Sequence, residues 1–286
     1  MIKNPICIVT DDTVQYSKPT FPGAEFIYLA SLQYSLNNND YKSMVSDNSI
    51  IWDKPKRISD QHYKFDKKLK IFSDQIIDLH KQYNDVILVL HSQYLSNAFE
   101  IALQITKTIS EKSRIHIFDS NSFSFGLGLI VKKAAGLISN GSCIEIVTQT
   151  IRKTIPHIYG IFFSQNHSRL TYPGFLTYEQ AFALDLLGQI PVFTIEDGRF
   201  NPFGKVNNIR NGINSFEEFI DEFDQLEDII FVSGIHNKSR EIAQLRSHCL
   251  DIFPRVNISY QFLSRNTAAI IGSNAMGVFV MEKVNK

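Results

Sequence analysis

The chain of 286 residues has no excess of either charge and no long apolar run. Lys plus Arg and Asp plus Glu each number 29, so nothing in the composition favours a nucleic acid or an anionic membrane as partner. No stretch approaches the roughly 20 consecutive apolar residues that a membrane-spanning helix requires. The opening, MIKNPICIVTDD, lacks the apolar run and cleavage site of a secretory signal peptide. We therefore expect a cytoplasmic protein.

Cysteines are few, and the common sequence signatures of enzymes are missing. Cys7, Cys143 and Cys249 are odd in number, lie far apart and sit in apolar or helical patterns, which predicts buried thiols of a reducing compartment rather than disulfides. The chain has no Walker phosphate loop and no G-x-S-x-G, H-E-x-x-H or C-x-x-C motif. A hydrolase, NTPase or metalloenzyme is therefore less expected, and we predict no metal site and no cofactor.

Short apolar runs alternate with helical patterns in the first half. The predicted buried strands are ICIV (6–9), DVILVL (85–90) and RIHIF (114–118), which have the length and β-branched content of a parallel sheet. Helices are predicted over about 63–82, after an N-cap at Ser96, from near Gly126, and from Ser142 with Glu145 completing a capping box. This alternation predicts an α/β domain with a parallel sheet over residues 1–155.

Antiparallel signals replace this alternation in the second half. IYGIFF (158–163) is predicted as a strand, and Asp197-Gly198 between two apolar runs predicts a hairpin over 191–203. Helices are predicted at about 215–225 and 238–252, and further strands at 228–233 and 256–262. Residues 156–286 are therefore predicted to form an α+β domain with a mixed or antiparallel sheet.

Polar residues gather at the predicted strand ends, where an open α/β sheet binds its ligands. Asp11, Asp12 and Thr13 follow the first strand, and His91 and Ser92 follow the second. Asp11, Asp12 and Thr13 allow a metal or phosphate contact, or a turn in which side chains hydrogen-bond backbone amides. His91 beside Ser92 allows a catalytic nucleophile or a hydrogen-bonding turn. The turn DSNSFSFGLG (119–128) allows a ligand contact or a capping turn with closely packed glycines, and IIGSNAMG (270–277) allows anion binding by backbone amides.

Five segments, taken in order, resemble motifs of the DegV family, bacterial fatty-acid-binding proteins that include the acyl-carrier subunits of fatty acid kinase. They are IVTDDTVQY (8–16), HSQYLSNAFEIA (91–102), FDSNSFSFGLGLIV (118–131), FTIEDGRFNPFGKV (193–206) and IIGSNAMGVFV (270–280). The corresponding family patterns are T-D-S-T after the opening strand, S-S-x-L-S-G-T-x-x-S-A, D-S-x-x-x-S-x-G-x-G, I-x-D-G-x-x-x-P-x-x-K-V and G-P-G-A-L-G. Together the five segments span nearly the whole chain.

The resemblance implies two α/β domains with one fatty acid between them, and no catalytic chemistry. The acyl tail would lie in an apolar tunnel, while hydroxyl groups and a histidine would hold the carboxylate at the domain junction. Ser92 corresponds to one carboxylate-binding hydroxyl. The candidate ligand-binding residues, taken from these motifs and from departures within them, are Ile58, Ser59, Ser92, Ser96, Asn97, Asp119, Ser120, Gly126, Arg265, Ile270, Ile271 and Gly272.

Two head-group positions depart from the family's pattern. The family's T-S-x-P turn corresponds to Ile58-Ser59-Asp60-Gln61, so an isoleucine stands where threonine is expected and the following serine is the available substitute. The family's G-T-H-T corresponds to Ala268-Ala269-Ile270-Ile271, so Ile270 replaces the expected histidine. A buried carboxylate needs charge-assisted hydrogen bonds. Either Arg265 or Asn266 supplies them, or the head group differs.

The expected contacts to a partner kinase are also altered. The family's G-G-R-I-S segment corresponds to Pro173-Gly174-Phe175-Leu176-Thr177, and the arginine after K-V corresponds to Asn207. The resemblance implies that these arginines dock or serve a fatty acid kinase in the kinase-linked members. Their replacement puts that partnership in question here, and Arg210 is a partial substitute.

Two other functions stay open at the level of sequence. The first is a small-molecule hydrolase or transferase that uses Asp11, Asp12, Asp119 and Ser92, which predicts perturbed carboxylates around a water-accessible cleft. The second is a diverged interaction protein without a ligand, whose tunnel is filled by its own side chains, as isoleucine at positions 58 and 270 suggests. An apolar cavity on the order of several hundred Å³ would argue against the second.

Overall fold

Two sheets, one from each half of the chain, organise the protein. The computed structural model describes residues 4–30, 65–96, 98–108, 114–171, 173–234 and 240–283. Within these ranges the first sheet has four strands and the second has six. This arrangement confirms the predicted fold class, in which a parallel sheet is followed by a mixed one.

The first sheet is wholly parallel and has the strand order β2-β1-β3-β4. Its strands are β1 (Asn4–Asp11), β2 (Ile27–Ala30), β3 (Tyr83–Leu90) and β4 (Ile115–Asp119). The central strands β1 and β3 are buried because they carry the apolar runs ICIV and VILVL. β2 escapes prediction because it has only four residues, of which Leu29 is 56% exposed.

The four helices predicted in the first half are all confirmed. They are α1 (Phe65–Gln82), α2 (Ala98–Thr108), α3 (Ser124–Ser139) and α4 (Ile144–Thr154). α4 buries one face, as an amphipathic surface helix does. α3 is buried along most of its length, because it lies between the two sheets and contributes to the core that they share.

The capping box predicted to begin at Ser142 is wrong. Gly141 adopts φ 77° and its N–H bonds to the Ile138 carbonyl at 2.9 Å. The N–H of Ser142 bonds to the Leu137 carbonyl at 3.0 Å. These two bonds close the C-terminal end of α3, so Ser142 belongs to that helix end and not to the next helix start. α4 begins after Cys143, which makes no side-chain capping bond and is exposed, contrary to the prediction of a buried thiol.

The second sheet has the strand order β7-β6-β5-β10-β8-β9. Its strands are β5 (Ile158–Ser164), β6 (Ile190–Glu196), β7 (Arg199–Val206), β8 (Leu226–Ser233), β9 (Asn257–Phe262) and β10 (Ala275–Glu282). Neighbouring strands are antiparallel except for β8 and β9, which are parallel. The predicted hairpin is confirmed: Asp197 and Gly198 join β6 to β7 with φ values of 49° and 77°, the backbone that a tight hairpin turn requires.

Five helices are described in the second half. They are α5 (His167–Leu170), α6 (Tyr178–Leu187), α7 (Ile209–Asp221), α8 (Arg240–Ile252) and α9 (Arg265–Ile271). α7 begins before its predicted start near residue 215 because Asn208 caps it, accepting the N–H of Asn211 at 2.9 Å. Among the described helices, none combines the length and the apolar character needed to cross a membrane.

One large core joins the two sheets. Its buried side chains come from β1, β3 and β4 on one side, from β5, β6, β8 and β10 on the other, and from α3 between them. Two further cores lie on the outer faces, one beneath α1 and α2 and one beneath α7 and α8. The domain boundary between residues 155 and 156 stays a prediction. It coincides with a 3-10 turn, Ile155–His157, that leads into β5.

Two glycines of α3 provide a matched test of this packing. A Cβ on Gly128 would lie 1.9 Å from the Gln15 carbonyl oxygen, whereas a Cβ on Gly136 would meet nothing within 4 Å. We predict that Gly128→Ala lowers the free energy of unfolding by about 1–3 kcal/mol because the turn after β1 must move. Gly136→Ala should raise it by about 0.5–1 kcal/mol, since alanine favours the helix. Urea denaturation measures both, and equal effects from the two variants would contradict the close approach of α3 to β1.

Candidate functional site

Asp11 is a fully buried carboxylate at the end of β1, beside the end of its neighbour β3. Its Oδ2 accepts the backbone N–H of His91 at 2.7 Å and lies 2.9 Å from His91 Nδ1. Its Oδ1 accepts the N–H of Thr13 at 3.0 Å and the Thr13 hydroxyl at 2.6 Å. The carboxylate therefore ties the two strand ends together and closes the turn after β1, which supports the turn interpretation of these residues.

The adjacent aspartates have pKa values shifted in opposite directions. Burial alone would raise the pKa of Asp11, but the charge of His91 and the hydrogen bonds from His91 and Thr13 outweigh burial and hold that pKa below its ordinary value. Burial, together with the charge of Asp11, raises the pKa of Asp12 to about 6. Asp11 is therefore a fixed anion, whereas Asp12 titrates close to neutral pH.

His91 connects Asp11 to the start of α2. Its Nε2 lies 2.6 Å from Ser96 Oγ, and the same hydroxyl accepts the N–H of Ala98 at 3.1 Å. The imidazole thus lies between the Asp11 carboxylate on its Nδ1 side and the Ser96 hydroxyl on its Nε2 side. Asp11, His91 and Ser96 are therefore linked in the order carboxylate, imidazole, hydroxyl, which is the order of groups in the catalytic triad of a serine hydrolase. Here, however, the hydroxyl also holds the first turn of α2, as the predicted capping role of Ser96 requires.

Ser92 links the two sheets. Its hydroxyl donates to the Gly198 carbonyl at 2.6 Å and accepts the N–H of Tyr94 at 3.2 Å. Because Gly198 is the turn of the β6–β7 hairpin, this bond spans the junction between the sheets. Beside it, Arg199 donates to the Tyr94 hydroxyl at 3.0 Å and lies over the Tyr94 ring at 4.5 Å. The predicted head-group hydroxyl thus lies at the junction, 1% exposed.

The turn after β4 is held by hydrogen bonds between its own residues. Asp119 accepts the N–H of Asn121 at 2.9 Å, and the Ser120 hydroxyl donates to the Ser122 carbonyl at 3.1 Å. A Cβ on Gly126 would lie 2.0 Å from Ser122 Oγ, so only glycine allows the turn to pack against α3. These contacts confirm the close packing of the glycine, but not the capping role, because Phe123, the N-cap residue of α3, makes no side-chain capping bond.

The side chain of Gln15 joins the turn after β1 to α3 and α9. Its Oε1 accepts three hydrogen bonds: the Ser264 N–H at 2.9 Å, the Thr267 hydroxyl at 2.9 Å and the Ser124 hydroxyl at 3.0 Å. Its Nε2 donates to the Phe262 carbonyl at 2.9 Å. The polar groups of this amide are thereby used to hold α9 against the edge of the first sheet.

α9 and the turn after it carry four of the predicted site residues. Ile270 and Ile271 are buried in the core that the sheets share. Arg265 is exposed at the start of α9. Its neighbour Asn266 donates to the Asp12 carbonyl, in the turn after β1, at 2.7 Å. Gly272 adopts φ 94°, a conformation that favours glycine.

Three predicted site residues, Ile58, Ser59 and Asn97, lie outside the described residues. The structure therefore brings Ser92, Ser96 and the Asp119 turn together at the ends of β3 and β4, and brings Ile270 and Ile271 to α9. Both groups lie where the two sheets meet. Ser92 of the first sheet bonds to the β6–β7 hairpin of the second, and α9 of the second half bonds to the turn after β1 of the first.

His167 and Arg169 are buried bases that sequence reasoning missed. Both lie on α5, directly after β5, and each is 6% exposed. His167 Nδ1 is hydrogen-bonded to Asp185 of α6. α5 packs against α9, and a Cβ on Gly272 would lie 3.0 Å from Asn166 Cβ. The only sequence signal was a pair of basic residues on a short segment that the fold then buries.

The fold and sequence identify the family. A model described as an uncharacterised protein of the DegV family matches residues 5–283. The chain belongs to the DegV family. A DegV domain-containing protein of Caldanaerobacter subterraneus subsp. tengcongensis is 25% identical over 223 residues, covering 74% of this chain and 76% of that protein.

Two solved structures show the same fold. DegV of Bacillus subtilis, described as a fatty acid binding protein, matches with a TM-score of 0.68 and 20% identity over 98% of this chain and 100% of that chain. The fatty acid kinase (Fak) B3 protein of Streptococcus pneumoniae, solved loaded with linoleic acid, matches with a TM-score of 0.72 and 16% identity over 98% of this chain and 100% of that one. The pair of sheets described above is therefore the DegV fold.

Two positions where the DegV resemblance implies docking arginines have different surroundings. Phe175 is partly buried and stacks on Phe200, with ring centroids 4.0 Å apart and planes 23° apart. Asn207 is exposed between β7 and α7, and Arg210 is exposed in the first turn of α7. Phe175 thus contributes to packing. Asn207 carries no charge, and Arg210 places a positive charge three residues further along the chain.

Asp11 and Asp12 should respond oppositely to pH. The lowered pKa of Asp11 contributes stability above its unfolded pKa that is lost as pH falls through the folded pKa. The raised pKa of Asp12 disfavours folding as pH rises from about 4 to about 6. We predict that Asp11→Asn lowers the free energy of unfolding by about the same amount at pH 7.5 and at pH 4.5, because both lie above the unfolded pKa of an aspartate, and that the loss shrinks only at lower pH.

Asp12→Asn should instead raise the free energy of unfolding at pH 7.5, with a smaller gain at pH 4.5. Urea titrations at the two pH values measure both variants, each serving as the control for the other. Loss of stability at pH 7.5 in both variants would contradict the opposite pKa shifts.

Proposed function

We propose that this protein binds one long-chain fatty acid, or a related acyl lipid, at the junction of its two sheets and carries it without catalysing a reaction. The observation that carries the proposal is the whole-length DegV fold. The B. subtilis neighbour is named a fatty acid binding protein, and the S. pneumoniae neighbour was solved with linoleic acid. The proposed location is the cytoplasm, in line with three cysteines that form no disulfide.

The acyl tail can supply the affinity. Each buried methylene contributes about 0.8 kcal/mol, so around a dozen contribute roughly 10 kcal/mol before the costs of association. The junction offers apolar surroundings of the required kind, because the shared core includes the aromatic rings of Phe123, Phe162, Phe193 and Phe279, and Phe175 and Phe200 pack against it. The polar end then sets the orientation of the lipid.

The head group is proposed to lie near Ser92. Its hydroxyl is at the sheet junction and its present acceptor is a single backbone carbonyl, Gly198, which a lipid carboxylate can replace as acceptor. Ser96, Asp119, Ser120 and Gly126 belong to the turns that hold Ser92 in place. Their proposed role is to position the hydroxyl and not to contact the lipid.

We also propose a fatty acid kinase as partner, with an altered contact surface. The S. pneumoniae neighbour is named as part of such a kinase. Phe175 is engaged with Phe200 and has no charge to offer, so the docking contact of this chain would depend on the exposed Arg210 beside Asn207.

The hydrolase or transferase alternative has less support. It requires an activated Ser92, yet the hydroxyl of Ser92 donates to Gly198 and the ring of His91 bonds to Asp11 and Ser96. Asp119 accepts the backbone N–H of Asn121 in its own turn and that of Gln93 in the turn after β3. A nucleophile needs its base within hydrogen-bond reach, and Ser92 does not have this arrangement.

Mass spectrometry of the purified protein tests the proposal. We predict one acyl species bound per chain under native conditions, whose mass after solvent extraction identifies a free carboxylic acid. After removal of lipid, palmitic acid at 100 times its Kd should stabilise the fold by about 2.7 kcal/mol, and acetate, which has the head group without the tail, should not. An apo mass that stays unchanged after incubation with palmitic acid would contradict lipid carriage and favour an interaction protein without a ligand.

A further inference from the structure

α7 and α8 lie side by side on the outer core of the second sheet. α7 buries Phe216 and Ile220 there, and α8 buries Leu245 and Cys249. In a helix, the residues next to a buried position lie towards the edge of the buried face. Side chains adjacent in sequence to these four residues are therefore placed where the two helices meet, at the surface of the protein.

Three side chains that can bind a metal ion converge where α7 meets α8. Glu217 and Asp221 are one turn apart on α7, and His248 lies on α8. His248 Nε2 is 2.7 Å from Asp221 Oδ1 and 4.0 Å from Glu217 Oε1. Each residue offers one ligand atom, and the three atoms lie within 4.8 Å of one another. The side chains are 33%, 43% and 47% exposed, so an ion can reach them from the solvent.

The charge at this position favours a cation. Two carboxylates one turn apart repel each other, and they lie towards the C-terminal end of α7, where the helix dipole is itself negative. The last turn of α7 has no basic residue to offset them. Within the described part of the chain, the salt bridges of Glu217 and Asp221 are both with His248. A neutral imidazole leaves the charge of the two carboxylates uncompensated.

The three groups fit an ion of the zinc type. Zn²⁺ binds imidazole nitrogen and carboxylate oxygen at about 2.0–2.2 Å, which places the ligand atoms of a tetrahedral site about 3.4 Å apart. The separations of 2.7 and 4.0 Å lie on either side of that value, so small rotations of exposed side chains are enough to reach it. Mg²⁺ and Ca²⁺ prefer sites made of oxygen alone. The imidazole therefore favours a transition metal.

We propose that Glu217, Asp221 and His248 bind one Zn²⁺ ion, with water completing its coordination, and that the ion links α7 to α8. Because the folded chain alone brings the three ligands together, the bound ion stabilises the fold. The proposal is independent of lipid carriage. It departs from the sequence-based prediction of no metal site, since His248 lies 27 residues from Asp221 and belongs to no metal-binding motif.

Isothermal titration calorimetry with zinc chloride tests the proposal on the full chain, without an affinity tag and after removal of metal by EDTA and dialysis. The titration is made at pH 7.5, since a histidine ligand must be neutral. We expect one equivalent of Zn²⁺ to bind per chain. His248→Gln should weaken this binding by roughly tenfold or more, because even the outer-shell partners of metal ligands contribute about 10–100-fold in affinity. Glu217→Gln should weaken it similarly, although Glu217 lies beyond hydrogen-bond distance of His248.

His157→Gln provides the matched control. The side chain of His157 is also 33% exposed, but it pairs with the single carboxylate of Glu282 at 2.9 Å, so this variant should bind zinc as the wild-type protein does. Undiminished binding in His248→Gln or in Glu217→Gln overturns the proposal, because an ordinary histidine–aspartate pair requires neither zinc nor Glu217. Equal loss of binding in all three variants, or no binding by the wild-type protein, also overturns it.

Discussion

The position of the candidate site depends on the amide of Gln15. Its Oε1 accepts bonds from α3 and from two groups of α9, and its Nε2 donates to the end of β9. One side chain thus fixes the turn after the first strand against the helix that carries Ile270. The close approach of Gly128 to the Gln15 carbonyl holds the same turn from the other side. Together with the bond from Ser92 to Gly198, this contact sets the polar turns of the first sheet against the second sheet.

Much of the fold follows from patterns that are local in sequence. The apolar runs of β1, β3 and β4 are long enough to be recognised as strands, and their alternation with helices predicts parallel pairing. Asp197-Gly198 predicts its hairpin because a tight turn needs left-handed backbone at those two positions. β2 is too short to give a pattern. The start of α4 is displaced because Gly141 and Ser142 satisfy the carbonyls of the preceding helix instead of capping the next one.

The candidate site was harder to predict, since it depends on contacts between residues far apart in the chain. The order of the sequence motifs predicts the family and places Ser92 at the sheet junction. It does not predict the bond from Ser92 to Gly198 or the contact of His91 with Asp11. His167 carries no motif. The pairing of β5 with β10 brings it to α9.

An acid head group fixed inside the protein is the central claim, and the most direct test is NMR of palmitic acid labelled with ¹³C at its carboxyl carbon. The account predicts one bound resonance at one equivalent per chain, distinct from that of the free acid and insensitive to pH where the free acid titrates. A carboxyl resonance that titrates as the free acid does, or no bound resonance at all, would contradict it.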